Sequence, residues 1–172
     1  MLFRSAFQNS PNTFTYNNLV NGKLNESTNP SNGNTGIITK NSLSNGGWLA
    51  INVCLGTISD NMLSGNSYIS CTNSIDATSS IKLNNLSQAS YIIISKMVGN
   101  ANIDENTLSG TSYITGTTIQ MNGGYVRRNT ISANSYINFA TDTATTLCWE
   151  NQINSYSYIN FTGAHKIGRA HV

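Results

Sequence analysis

One phrase recurs along the chain: "NMLSGNSYI" at 61–69, "NTLSGTSYI" at 106–114 and "NTISANSYI" at 129–137. Alignment on its aromatic gives the column Trp48, Tyr68, Tyr91, Tyr113, Tyr136 and Tyr158, in steps of 20, 23, 22, 23 and 22 residues. Each aromatic follows a small residue (Gly47, Ser67, Ser90, Ser112, Ser135, Ser157) and precedes an aliphatic (Leu49, Ile69, Ile92, Ile114, Ile137, Ile159). Seven positions before each aromatic stands an asparagine: Asn41, Asn61, Asn84, Asn106, Asn129 and Asn151. Two positions after that asparagine comes Leu or Ile. One such unit cannot bury its apolar side alone, so units of this size must stack.

A finer rhythm selects strands over helices. The aliphatics Ile81, Ile92, Ile103 and Ile114 recur every 11 residues, which reads as two related half-turns per repeat. Small-x-Ile and Asn-x-Leu fragments alternate with period two, and no segment holds a 3.6-residue periodicity. Stacked strands lie about 4.8 Å apart, so equivalent side chains sit one above another. The expected fold is therefore all-β: a single-stranded parallel β-helix, or β-solenoid, of about six coils of ~22 residues over 36–165. Its asparagines should form a ladder at the corners, because Asn tolerates the left-handed backbone region and its amides bond along a stack. Alternation puts Ser112 and Ile114 inside and points Tyr113 outward, so the aromatic column should be an exposed stripe.

Composition bounds the rest. Only 9% of residues are charged and the net charge is +2, too little to imply a nucleic-acid partner. No apolar run approaches the roughly 20 residues of a membrane span, and "MLFRSAFQNS" lacks a secretory apolar core. Cys54, Cys71 and Cys148 are scattered, which reads as buried free thiols and not as a metal site or disulfide framework. Residues 1–35 break the pattern and read as an irregular segment or cap that includes a polar linker, "NESTNPSNGNTG". The ending "IGRAHV" matches one reading frame of a widely used sequencing adapter. Residues 166–172 are therefore expected to be a non-native tail on a truncated reading frame, and His171 loses any functional claim.

The pattern Ile-x-x-Asn-x-Ile-Ser-x-x-x-Tyr-Ile resembles the parallel β-helix repeats of pectate-lyase-like and NosD-like proteins, and of phage tail spikes and fibres. It departs from them in having Tyr-Ile where Gly-Ile is common. The resemblance implies a right-handed coil, and a leucine-rich repeat is the competing architecture. It also implies a non-enzymatic attachment segment of an extracellular fibre or adhesin, phage tail-fibre-like, on a virion or cell exterior. Its ligand-binding residues would be Trp48, Tyr68, Tyr91, Tyr113, Tyr136 and Tyr158. Its expected partners are a cell-surface glycan and two further copies in a homotrimer, with no cofactor, metal or catalytic residue. The alternative is a fragment of a polysaccharide lyase or depolymerase whose active site lies elsewhere. The acids offer it little: Asp60 and Glu105 share a column two coils apart, roughly 10 Å along the axis. Asp104–Glu105 beside Arg127–Arg128 reads as a surface ion pair worth about 0–1 kcal/mol.

Overall fold

The computed structural model describes residues 13–25, 37–51, 56–75, 79–142, 146–163 and 166–167. Every regular element among them is a β-strand, and all pairings are parallel. The strands form three sheets of eight, seven and seven members, and each coil contributes one strand to each sheet in turn. In one coil these are Asn102–Asp104, Thr107–Leu108 and Tyr113–Gln120. The protein is a parallel β-solenoid, and helical leucine-rich packing is excluded for the described residues.

Six coils occupy the places that the repeat assigns, with like residues in register. Ile81 pairs with Ile103, and Ile103 with Val126. Leu86 pairs with Leu108, and Ile92 with Ile114. The 11-residue rhythm has a different meaning from two half-turns, because it links the first sheet to the third. Between them lies the second sheet with its own inward column of Leu43, Leu63, Leu86, Leu108 and Ile131, so the coil is three-sided. All three columns are buried, most at 0% exposure, until the last coil, where Cys148, Ile153 and Ile159 are half-buried. Each such side chain contributes about 1.5–3 kcal/mol of burial.

The stack also extends beyond 36–165. Thr13–Thr15, Asn18–Val20 and Lys23–Asn25 pair with the strands at 37–39, 42–44 and 48–50, which adds a coil within the segment read as irregular. That coil has Lys23 at the aromatic position, and one fewer residue separates it from its asparagine, Asn17. Both changes hide it from the pattern. At the other end Lys166–Ile167 pairs with Leu147–Cys148, so the first sheet runs into the segment assigned to the tail. Residues 168–172, with His165 and Cys54, lie outside the described residues.

The corner between the first and second sheets fixes the register. Asn106 donates from Nδ2 to Oδ1 of Asn129 at 2.9 Å, and its backbone N–H donates to the same oxygen at 3.0 Å. Its Nδ2 also donates to the carbonyls of Ile81 and Asp104, while its own Oδ1 accepts from the side chain and backbone of Asn84. The same amide-to-amide bond links Asn17, Asn41, Asn61, Asn84, Asn106, Asn129 and Asn151 at 2.9 Å per step. These buried amides are satisfied by the coils above and below, as a buried polar group requires.

One part of the corner differs from expectation. The left-handed residue is the one before each asparagine: Lys40, Asp60, Leu83, Glu105, Arg128 and Glu150, at φ from 51° to 56°. This bend turns the asparagine side chain inward, where it bonds instead of adopting the strained backbone itself.

A fourth inward column runs along the long strands as Ile51, Cys71, Ile94, Gly116, Phe139 and Phe161. Gly116 makes room for Phe139. A Cβ there would stand 2.5 Å from the Ile94 carbonyl oxygen and 2.5 Å from the Phe139 ring.

Two outcomes follow for chemical denaturation. Asn106→Ala leaves the Asn84 backbone N–H without its acceptor and breaks the amide chain between Asn84 and Asn129, and should cost about 2–4 kcal/mol. Asn122→Ala, exposed and off the ladder, should change stability by less than about 0.5 kcal/mol. Gly116→Ala should cost about 1–3 kcal/mol through overpacking, against near neutrality for Thr117→Ala on the exposed face of the same strand.

Candidate interaction surface

The turn before each long strand aims the aromatic column. In "SGTSY" the two central residues, Gly110 and Thr111, have φ of 61° and 67°. The same left-handed pair recurs at Gly65–Asn66, Gln88–Ala89, Ala133–Asn134 and Ser155–Tyr156. Two successive left-handed residues make a type I′ turn. Its closing bond runs from Ser90 N–H to the Ser87 carbonyl and from Ser135 N–H to the Ser132 carbonyl, both at 3.3 Å. The serine in front of the tyrosine is more than a small filler. Its Oγ donates back to the first turn carbonyl: Ser67 to Ser64 at 2.6 Å, Ser90 to Ser87 and Ser112 to Ser109 at 2.7 Å. The Ser135 and Ser157 oxygens in turn accept N–H bonds from Ser112 and Ser135 of the coil before. Sequence reasoning missed this second polar ladder, whose signal is Ser three residues after the Ser or Asn that opens the turn.

Held so, the predicted residues come together. Trp48, Tyr68, Tyr91, Tyr113, Tyr136 and Tyr158 stand in register on the third sheet, five of them half-buried and Tyr158 46% exposed. Their rings stack face to face. The centroids are 5.6 Å apart for Trp48–Tyr68 and 4.8–5.0 Å for the tyrosine pairs, with interplanar angles of 1–5°. The strand spacing of about 4.8 Å sets this separation. Each pair contributes about 0.5–1.5 kcal/mol. Every inner ring therefore has a neighbour on both faces, and solvent meets ring edges and hydroxyls. Burial raises the pKa of Tyr68, Tyr91, Tyr113 and Tyr136 above the ordinary tyrosine value, with smaller contributions from adjacent phenols for the last three. Lys23 ends the column with its ammonium 5.5 Å from the Trp48 ring centroid.

Asp104 and Glu105 stand at the corner between the first and second sheets, where Arg128–Glu105 is the expected surface pair and Asp104 departs from that reading. Asp104 is 8% exposed. Arg128 grips it with two bonds, Nε to Oδ1 at 3.1 Å and Nη2 to Oδ2 at 2.8 Å, and Arg127 adds a bond of 3.4 Å. Arg128 also reaches Glu105 at 2.9 Å. The Arg127 guanidinium lies 4.0 Å from the Tyr125 ring centroid and 5.7 Å from that of Trp149, which shields the pair from water. Burial pushes the Asp104 pKa up, but the hydrogen bonds and charges of Arg128 and Arg127 outweigh it and hold the carboxyl below the ordinary range. Asp60 and Glu105 share the corner column with Leu83 between them, two coils apart. Among the described residues no group of His, Cys, Asp and Glu is placed to hold a metal ion, and no helix is long and apolar enough to cross a membrane. Cys71 is a buried thiol outside any disulfide, and the Cys148 thiol is pushed up to about 11 by burial.

These features define the class: a parallel β-solenoid ordered by an asparagine ladder and bearing a stacked aromatic ladder on its widest sheet. Comparison with protein-family models, with curated proteins and with solved structures finds no match.

The Asp104 pair gives a pH test. Because its folded pKa lies below the unfolded value near 4, its stabilisation is present above that value and lost as pH falls through the folded one. Asp104→Asn should cost roughly 1–3 kcal/mol at neutral pH, the worth of hydrogen bonds to a charged group. The gap to the parent protein should shrink as pH falls below the ordinary carboxylate range, measured by urea denaturation across pH.

Proposed function

We propose that this chain is a non-enzymatic structural and attachment segment of an extracellular fibre or adhesin, of the phage tail-fibre kind, that contacts glycans through its tyrosine ladder. The observation that carries this reading is the aromatic column itself. Six aromatics share one flat sheet, in one orientation, on a scaffold whose other outward positions carry mostly small polar side chains. A half-exposed aromatic strip of this length marks a contact surface, and aromatic residues are enriched where partners bind. Carboxylate chemistry is poorly served, because Asp104 is neutralised by two arginines and Asp60 and Glu105 stand two coils apart. Hydrolysis or elimination needs an acid and a base converging on one bond. The stiffness of a coil tied by continuous ladders suits a shaft, and fibre shafts of this kind act as homotrimers.

Glycan-array binding tests the reading. The parent chain should retain a set of cell-surface glycans, and Tyr91→Ala combined with Tyr113→Ala should lose them while circular dichroism still reports the coil. Undiminished binding by a folded double variant would refute contact through the ladder. Light scattering should give the mass of three chains; a monomer at high concentration would remove the trimer from the proposal.

A further inference from the structure

The stacked geometry limits how the ladder can meet a sugar, and this inference rests on the glycan reading above. Aromatic residues commonly hold sugars by laying a ring face against them, but the inner rings here have both faces occupied by neighbours within 5.0 Å. What remains outward is a row of ring edges and phenol oxygens. Among the described residues no hydrogen bond reaches the phenol oxygens of Tyr68, Tyr91, Tyr113 or Tyr136. Each is thus open as one donor and one acceptor, since a phenol keeps its proton at neutral pH. Two residues along each strand lies a second outward column, which is polar at Ser70, Thr115 and Asn138 and interrupted by the apolar Ile93 between Ser70 and Thr115. The Thr115 hydroxyl donates to the Asn138 carbonyl at 2.9 Å, which leaves its oxygen lone pairs to accept from outside.

The geometry points to a binding track for an unbranched, neutral polysaccharide in extended form, laid along the coil axis and read edge-on by the phenol hydroxyls. The direction follows from the repeat: like groups recur along the axis at the strand spacing of about 4.8 Å, and differ across it. An extended polymer can meet one phenol after another, whereas a branched one collides with the ridge of rings. Neutrality follows from the lack of a row of charge beside the phenols: of the charged residues placed on this sheet, Lys23 lies at the ladder's end, and Lys96 and Asp142 lie toward the far ends of their strands, away from the tyrosine column. No ring face is needed, so affinity should grow with chain length and depend on the hydroxyls more than on the aromatic character of the column.

Replacement of tyrosine by phenylalanine separates the two modes, because it keeps the stack and removes the hydroxyl. Calorimetric titration with cello-oligosaccharides of increasing length should show affinity rising with each added unit. The double variant Tyr91→Phe/Tyr113→Phe should bind about tenfold or more weakly, as two lost hydrogen bonds imply, with its melting temperature and circular dichroism unchanged. Equal binding by the parent and the phenylalanine variant would overturn edge-on reading while leaving glycan contact standing. Binding of branched or anionic glycans in place of the cello-oligosaccharides would overturn the assigned class alone. Retention of no glycan of any class by the parent chain would end both this inference and the glycan reading on which it rests.

Discussion

The buried amide chain at the corner is the interaction on which the rest depends. An asparagine inside an apolar coil is costly unless each of its polar atoms finds a partner, and an orphaned amide costs about 1–3 kcal/mol. Here those partners exist only when the next coil presents its own asparagine at the same height. A slip of one residue breaks every bond at once and turns the inward aliphatics outward. The ladder therefore acts less as a source of stability than as a penalty against every other register. The Ile and Leu columns, which would tolerate several packings, inherit a single one from it.

The aromatic surface is a downstream effect of that registry. Once coils are locked corner to corner, the type I′ turn and its serine brace deliver each tyrosine to the same point on the third sheet. The rings meet face to face because the backbone sets their spacing, whatever separation the rings themselves would favour. That coupling explains how a surface of half-exposed tyrosines stays ordered, since each ring is confined by two neighbours and by the strand beneath. It also means that recognition and stability share residues: tyrosine to alanine alters both, and tyrosine to phenylalanine alters one.

Much of this was legible because the repeat is strict where the structure is strict. Asn106, Tyr113 and Ile114 keep fixed spacing, and their roles as ladder, stripe and core follow from the repeat with few assumptions, whereas Ser112 reads only as a small inward residue and its hydrogen-bonding role emerges from the turn geometry. What escaped has physical causes. The first coil carries Lys23 in the aromatic column and a turn shorter by one residue, so Asn17 stands off the seven-residue spacing although it joins the ladder. The left-handed corner falls on Lys40, Leu83 and Glu105, residue types that carry no turn preference, because the fold imposes that backbone from both sides. Three-sidedness was obscured because the second sheet's strands are only two or three residues long. The burial of Asp104 was invisible because it depends on two arginines and two aromatics from later in the chain. The surface's chemistry stands furthest from the sequence: tyrosine spacing gives a column, and only ring geometry shows that its faces are closed.

Hydrogen exchange of the asparagine side-chain amides tests the registered ladder most directly. Measured by NMR, the Nδ2 protons of Asn61, Asn84, Asn106 and Asn129 should exchange as slowly as the strand amides around them, since both are released only when coils separate. The exposed side chains of Asn122 and Asn134 should exchange at the rate of free amides. Rapid exchange of all six, with the backbone still protected, would show that the asparagines do not bond coil to coil, and would contradict the account at its root.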